Sequence, residues 1–471
     1  MAEVCVVGAG PAGSVFAARM AQLGHQVRLI EQARFPRSRL GESLSPGVEP
    51  LLKSARLETA LETRGVTRVR NVWVNWADGP RLREDPREQG LIVDRGAFDL
   101  ALVEGARSHS VKVLQPARVV DRRQFGGRWR LTLDIEGRRE TLEADFLADA
   151  GGRSADSGRP RVQTGAATLA VHAYWRGARL PATPRIEAAE EAWFWGVPLP
   201  NGTYNALAFV DPKAFRAAPG ALERRFLERL AGSLVLDDCR DAERIGPVRA
   251  IDATPYLAGD CIGANAIRLG DAALSIDPIS SSGVQKAIQS ALSGAIVANT
   301  LLRRPYAADL AMRFYRDQLS DASERHRRWA ADHYGTIAAN RGGQFWTERS
   351  KGREAAESAP AFEPVDARAM AAVSVEVSPE AAFVETPCLD GEFVGVAPAL
   401  RHPRLETPVA YLAGRALAPL LKDLPPGRTP LQIARAWSIR MPLESGLAIA
   451  GWLINHGVLV RTAEMDGGRP C

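Results

Sequence analysis

Residues Val4–Glu31 read VCVVGAGPAGSVFAARMAQLGHQVRLIE, and this stretch decides the fold. A short apolar strand, Val4–Val7, enters Gly8-Ala9-Gly10-Pro11-Ala12-Gly13, and an amphipathic helix follows to Leu23. A second strand, Gln26–Ile30, ends on Glu31. Strand, G-x-G-x-x-G, helix, strand and acid form the first βαβ unit of a dinucleotide-binding fold. Gly8 permits the tight turn, Gly10 lets the backbone approach a pyrophosphate, and Gly13 lets helix and strand pack closely. The helix N-terminus offers free N–H groups and partial positive charge to phosphates. Glu31 is placed to accept from ribose hydroxyls, which favours a non-phosphorylated ribose.

The 471 residues suffice for two or three domains and a large core. The net charge of +5 is modest, and its basic residues alternate with acidic ones, unlike the clustered stripe of a nucleic-acid binder. The five cysteines, Cys5, Cys239, Cys261, Cys388 and Cys471, are scattered without metal spacing. No metal is expected, and reduced thiols in a cytoplasmic setting fit them. The chain enters a core strand at once, so no signal peptide is expected. No apolar run reaches about 18 residues, so no membrane span is expected.

Outward from the opening unit, a basic loop carrying Arg39-Leu40-Gly41-Glu42-Ser43-Leu44-Ser45-Pro46 leads into a helix near Val48–Ser54. Val69–Trp76 alternates like a strand. Leu91–Arg95 precedes a helix over Gly96–Ser108. Val111–Leu114 reads as a strand, and Arg128–Leu133 pairs with Glu140–Ala144 across a Glu136-Gly137 turn. Phe146–Ala150 is apolar and ends in Asp149-Ala150-Gly151-Gly152. From Val162 to Asp211 the pattern changes to alternating strands, Leu169–Arg176, Ala192–Pro198 and Tyr204–Val210, read as an inserted antiparallel sheet. Gly220–Ala231 reads as a helix. Ile262–Leu269 reads as a strand entering a second glycine-rich segment, Gly270–Val284, and long helices follow over Gln285–Leu302 and Tyr306–Tyr334. Thr347–Pro364 is polar and Ala/Pro-rich, a domain boundary. Beyond it, helices starting at Thr429-Pro430 and after Met441-Pro442, then a strand Val458–Arg461, make a winged-helix-like pattern suited to contacting protein.

The fold class expected is α/β. It comprises a Rossmann-type FAD-binding domain over 1–165 and 245–305 and an antiparallel-sheet substrate domain over 166–244, with 70–95 contributing. A connecting helix over 306–346 and a mainly α, winged-helix-like C-terminal module over 365–471 complete it. The segments Gly8–Gly13, Asp149–Gly152 and Gly270–Val284, in that order, resemble the FAD-dependent monooxygenases that include aromatic hydroxylases, flavin-dependent halogenases and geranylgeranyl reductases. The resemblance covers roughly residues 1–335. It implies FAD with its ADP part at Gly8, Gly10, Pro11, Ala12, Gly13 and Glu31, and it puts Arg39, Gly41 and Arg95 near the cofactor. It lays Gly270 and Asp271 along the ribityl-pyrophosphate, with Pro278, Ser282, Gly283 and Val284 beside the isoalloxazine. In the middle motif this chain has Asp149-Ala150 where relatives have Asp-Gly. No second nicotinamide-type glycine motif is present, so the electrons come from NAD(P)H bound transiently or from a separate flavin reductase.

Trp193-Phe194-Trp195-Gly196-Val197-Pro198 resembles the W-x-W-x-I-P motif of flavin-dependent halogenases, which keeps substrate away from the flavin. The plainer reading is a sheet strand with core tryptophans. Halogenases also use a lysine to receive the hypohalous acid. Here Arg68 and Arg70 stand nearest, and no lysine occurs between Lys53 and Lys112. A guanidinium stays protonated and is a poor nucleophile. A halogenase-like scaffold, the RLGESLSP signature and an extra C-terminal module together resemble flavoproteins that hydroxylate a protein-borne tryptophan during maturation of tryptophan-derived quinone cofactors, cysteine tryptophylquinone above all. That resemblance implies O2 as oxidant, a flavin C4a-hydroperoxide as oxygen donor, and a protein or peptide substrate bearing tryptophan. Trp195, His172 and Arg68 are the candidate catalytic residues, and Trp193, Trp195 and Lys286 the candidate substrate contacts. His172 also reads as a hydrogen-bonded core histidine and Lys286 as a surface residue of its helix. The alternatives are a halogenase of an indole and a geranylgeranyl-reductase-like flavoprotein. Neither nucleic acid nor membrane is expected as a partner.

Overall fold

The structure, a computed structural model, describes residues 1–37, 39–84, 90–154, 160–215, 221–231, 233, 241–352, 373–422 and 424–462. Cys239, Cys471, Gly220 and most of the boundary expected over Thr347–Pro364 lie outside them. The chain divides into two compact units, Met1–Arg353 and Glu354–Cys471.

The opening unit forms as its pattern dictates: strand Glu3–Val7, helix Pro11–Gln22, strand Gln26–Ile30. Both strands are parallel, with Val7 opposite Ile30. They centre a six-stranded sheet ordered Ile262–Gly263, Ala266–Arg268, Phe146–Asp149, Glu3–Val7, Gln26–Ile30, Lys112–Leu114. All neighbours are parallel except the outermost pair. The helix Pro11–Gln22 packs between helices Arg95–Ser108 and Gly283–Arg303 on one face. An antiparallel meander, Arg118–Phe125, Arg128–Ile135 and Arg138–Ala144, covers the other, burying Cys5, Ile30, Leu131, Leu133 and Leu147 together. Burial there pushes the Cys5 thiol up to about 11, so it carries no nucleophile at neutral pH. The Glu136-Gly137 turn takes positive φ at both residues, the geometry that suits a two-residue hairpin.

The second sheet has seven strands: Glu243–Asp252, Leu169–Arg176, Tyr204–Val210, Ala192–Pro198, Arg185–Ala188, Asn71–Trp76, Gly79–Glu84. The three strands read from alternation occur with the bounds expected. Three differences stand out. Val69–Trp76 is two strands, Val66–Val69 and Asn71–Trp76, which join different sheets. Ile262–Leu269 is a tight hairpin of two short strands. Glu243–Asp252 extends the second sheet beyond the expected limit at 244.

Alternation sorts the seven-stranded sheet into two faces. Val171, Ala173, Trp175, Phe194 and Ala206 pack on Phe226 and Leu230 of helix Ala221–Ala231. The opposite, front face carries three cross-strand rows: Ala170–Phe209–Trp193–Ala188, His172–Leu207–Trp195–Ile186 and Tyr174–Asn205–Val197. The first row packs under Tyr334 of the long helix Ala308–Arg341 and under Phe345 and Trp346 of helix Gln344–Arg349.

In the second unit, helix Pro430–Ala436 opens on a Thr429–Gln432 capping box and helix Leu443–Asn455 follows. Strand Leu459–Arg461 pairs with Val375–Val377. A long hairpin, Ala382–Asp390 with Phe393–Arg401, adds strand content the sequence pattern did not disclose. The helices bury Ile433, Trp437, Ile449 and Leu453 in one cluster.

Candidate active site

Two glycine-rich turns meet at the C-terminal edge of the parallel sheet. Gly8 adopts φ +98°, and the Cβ of any residue replacing Gly13 would land inside the Gly8 carbonyl oxygen. Gly270, from the second motif, packs with its Cα hydrogens against Ala12, where an added Cβ would come within 2.9 Å of the alanine methyl. The Leu269 N–H donates to the Asp149 carbonyl at 2.9 Å, which ties the second motif to the middle strand. The Asp149 carboxylate accepts from the Gly151 N–H at 3.1 Å and from Arg122 at 3.2 Å.

Glu31 is buried at the end of its strand. Its carboxylate accepts from the Ala9 N–H at 3.0 Å and the Ala33 N–H at 2.9 Å, and pairs with Arg37 at 3.4 Å. Arg37 also reaches Asp99 at 3.5 Å. Arg95 forks onto Asp99 at 3.0 and 3.1 Å and donates to the Leu40 carbonyl at 2.7 Å. Thus Arg95 anchors the RLGESLSP loop, while Arg39 itself is exposed. The far end of that loop is held by Ser45, bonded to Gln285 at 2.5 Å.

Helices Pro11–Gln22 and Gly283–Arg303 both begin without a side-chain cap. Helices Val48–Ser54, Ala308–Arg341 and Leu443–Asn455 also begin uncapped, whereas Asp94 caps helix Arg95–Ser108 and Thr429 caps helix Pro430–Ala436. The starts of helices Pro11–Gln22 and Gly283–Arg303 both carry orphan N–H donors and positive dipole ends, which suit an anionic ligand. An added Cβ at Gly283 would meet nothing within 4 Å, and one at Gly10 only the tip of Arg37 at 3.7 Å, so both backbones face open space. These features fit a bound FAD, whose pyrophosphate Gly10–Gly13 and whose flavin ring Pro278–Val284 would hold.

Lys286 does not point toward substrate. It is buried, and its Nζ bonds Asp271 at 2.7 Å and the Leu274 carbonyl, bracing the Gly270–Ser275 loop from beneath. Arg68 is not in the cleft either. It sits half exposed, forked onto Glu49 at 2.8 and 3.1 Å. Its neighbour Val69 packs with Ile92, Tyr174 and Trp195, and period-two alternation turns Arg68 to the opposite side. Trp193 and Trp195 share the front face but differ in depth. Trp193 is buried, stacked on Phe209 at 3.7 Å and 9°. Trp195 is half-buried, touching both the Tyr334 cluster and the Ile92–Val197 cluster.

Asp277, before Pro278, accepts from the Ile279 N–H at 3.0 Å and the Tyr334 hydroxyl at 2.8 Å. Burial pushes its carboxyl above the usual range, against the pull of those bonds. A cavity of about 690 Å³ lies beside it, lined by Ser275, Asp277, His326, Tyr334 and Arg349 among others. Glu42, quoted in the sequence without a role, is the residue the pattern missed. It is buried on the front face and accepts from Tyr174 at 2.7 Å, Asn205 at 3.0 Å and the Gly41 N–H at 3.0 Å. Nothing in its local sequence marks it, because its partners come from the second sheet.

His172 is buried beside Tyr174, ring edge to ring face at 5.6 Å. Burial, with Arg249 opposite on the next strand, lowers its pKa from 6.5 to about 4. The unfolded chain therefore binds one more proton than the fold between those values, so His172 removes stability as pH falls through that window. The expected contribution is up to about 3 kcal/mol. Urea midpoints of wild type and His172→Phe measured from pH 7 to pH 4 check it: the difference between them shifts in favour of the variant as pH drops.

Residues 1–175, which include the parallel glycine-turn sheet's opening unit, match the FAD binding domain family. The chain is an FAD-dependent oxidoreductase, similar to flavin-dependent monooxygenases and halogenases. Among curated relatives, the tryptophan 2-halogenase of Chondromyces crocatus is 28% identical over 378 residues, covering 75% of this chain and 71% of its own. Among solved structures, the peptidyl tryptophan dihydroxylase QhpG, essential for tryptophylquinone cofactor biogenesis, is 27% identical. The likeness covers 96% of this chain and 99% of QhpG, with a TM-score of 0.72. The flavin-dependent halogenase CmlS shares the fold at TM-score 0.76, 22% identity, and 97% and 95% coverage. Among the described residues no cluster of three or more His, Cys, Asp or Glu could hold a metal ion, and no helix is long and apolar enough to cross a membrane.

Proposed function

We propose that this flavoenzyme hydroxylates the indole of a tryptophan carried by a protein or peptide, as in the maturation of tryptophan-derived quinone cofactors. One observation carries this choice over halogenation: no lysine occurs between Lys53 and Lys112, the stretch around Val72–Trp76 where the halogenase lysine is expected. Lys286 is the lysine of the flavin loop, and its Nζ is committed to Asp271 and the Leu274 carbonyl. The nearest basic residue to the halogenase lysine position, Arg68, faces away and pairs with Glu49. The likeness to a peptidyl tryptophan dihydroxylase across both units supports the same reading.

Reduced FAD supplies an electrophilic oxygen drawn from O2. The chain must hold the indole within reach, keep water out and stabilise flavin charge. Trp195 and His172, in one cross-strand row, form the polar and aromatic wall against which an indole rests. Ile92 and Val197 make the adjoining wall apolar. With FAD bound, the uncapped N–H groups at Gly283 and Val284 would offset negative charge on the reduced ring. Electrons come from NAD(P)H or a partner reductase, and the C-terminal unit serves as a docking surface for a macromolecular substrate.

The test supplies FAD-loaded protein with NADH, a flavin reductase, O2 and a tryptophan-containing peptide, with and without chloride or bromide. Mass spectrometry should show gain of one or two oxygens, unchanged by halide. Halide-dependent gain of a halogen would replace this reading with the second one, a halogenase, to which the tryptophan 2-halogenase likeness points.

A further inference from the structure

Lys286 breaks two local rules at once. It closes the first turn of helix Gly283–Arg303, its N–H bonded to the Ser282 carbonyl at 2.9 Å. The helix dipole gathers positive charge at that end, so a cation there is disfavoured. The side chain is also only 4% exposed, and a lysine is seldom enclosed unless it is paired. Its Nζ donates to the Leu274 carbonyl and, at 2.7 Å, to Asp271 Oδ1. Among the described residues Asp271 is its one ion-pair partner. Local rules are broken mostly at functional sites.

Asp271 poses the matching problem. Gly270 sits against Ala12, so the next residue lies beside the start of helix Pro11–Gln22, the end that suits a pyrophosphate. The Asp271 side chain is 38% exposed, and its Oδ2 takes no hydrogen bond from the described residues. A carboxylate in that place can accept from the hydroxyls of a cofactor's polyol chain. Its charge, however, repels a neighbouring diphosphate. A buried ammonium on the protein side of the same carboxylate removes the repulsion and leaves the outer oxygen free to accept.

We propose that Lys286 is a positioning residue for FAD that acts through Asp271. It neutralises the carboxylate from within and fixes Oδ1, so that Oδ2 serves the cofactor's hydroxyls without driving off its pyrophosphate. The inference goes beyond the choice of substrate and holds for hydroxylation and halogenation alike.

The experiment strips FAD from the full chain and titrates it back by flavin fluorescence, with a thermal melt to follow the fold. Lys286→Met should weaken FAD binding by about tenfold or more, because it leaves a carboxylate without its partner. In an Asp271→Asn background no charge needs offsetting, and the same substitution should cost less than about threefold. That rescue separates charge from bracing, since a lysine that only held the loop in place would lose as much in either background. Equal losses in the two backgrounds overturn the proposal, and so does wild-type affinity in Lys286→Met. Lys286→Gln keeps a hydrogen-bond donor without the charge, and it takes the place of Lys286→Met in both backgrounds should that protein not fold.

Discussion

Gly13→Ala is expected to yield protein that retains no FAD. The new methyl would occupy the Gly8 carbonyl oxygen, with the carbonyl carbon at 3.0 Å and the Ala150 methyl at 3.2 Å. These are backbone and core atoms, with no flexible side-chain end to give way. The helix Pro11–Gln22 must then move off its strand, and with it the phosphate-facing N–H groups. Overpacking in a well-packed core costs about 1–3 kcal/mol even where side chains can adapt, and here backbone must shift. Gly10→Ala is the control. Its methyl would meet only the Arg37 side chain at 3.7 Å, so the fold should survive while the methyl obstructs the pyrophosphate. The FAD-to-protein absorbance ratio and a thermal melt measure both effects. Full FAD occupancy in Gly13→Ala would contradict this account of the turn.

The second large effect separates two tryptophans that sequence spacing makes look alike. Trp193→Ala should destabilise the protein by about 3–5 kcal/mol, the usual cost of emptying a buried aromatic site. The ring is 2% exposed, stacked on Phe209, and packs with Tyr334 and Trp346. Its stack adds to the area it buries. Trp195→Ala removes a half-buried ring and should leave melting and FAD content close to wild type. It should instead uncouple the reaction, so that reductant is consumed without modification of the peptide. Thermal melts and the ratio of product to NADH oxidised check the pair. A Trp193→Ala protein that melts like wild type would place that ring outside the core.

Much of this organisation was legible in the chain itself, for physical reasons. Leu169–Arg176, Ala192–Pro198 and Tyr204–Val210 read as strands because they are short apolar runs buried on both faces, one packing on helix Ala221–Ala231 and the other under Tyr334 and Trp346. Both glycine motifs announced their turns, since a side chain at Gly13 or Gly270 has nowhere to go. What escaped was set by distant partners. Val69–Trp76 reads as one strand, yet the chain breaks at Arg70 because Val66–Val69 and Asn71–Trp76 pair in different sheets. Glu243–Asp252 is a mostly exposed edge strand, so no apolar face advertises it. The hairpin Ala382–Arg401 contains Pro387 and Pro398 and buries little of its length, which hides its period. Arg68 was near the expected reaction site in sequence, but strand parity alone turns it away. Glu42 gained its role only when Tyr174 and Asn205 arrived from a sheet encoded far downstream.

The contact of Gly270 with Ala12 bears on how this protein is made. The ligand edge of the first sheet needs Ala266–Arg268 beside Phe146–Asp149, and the second glycine-motif helix begins only at Gly283. While the ribosome is still adding the middle of the chain, the opening βαβ unit lacks its far wall and its second dipole. Contacts so distant along the chain form late, because a long loop must first close. A nascent or truncated chain ending near residue 175 should therefore emerge cofactor-free, and stalled chains released after Arg303 should be the first to hold FAD.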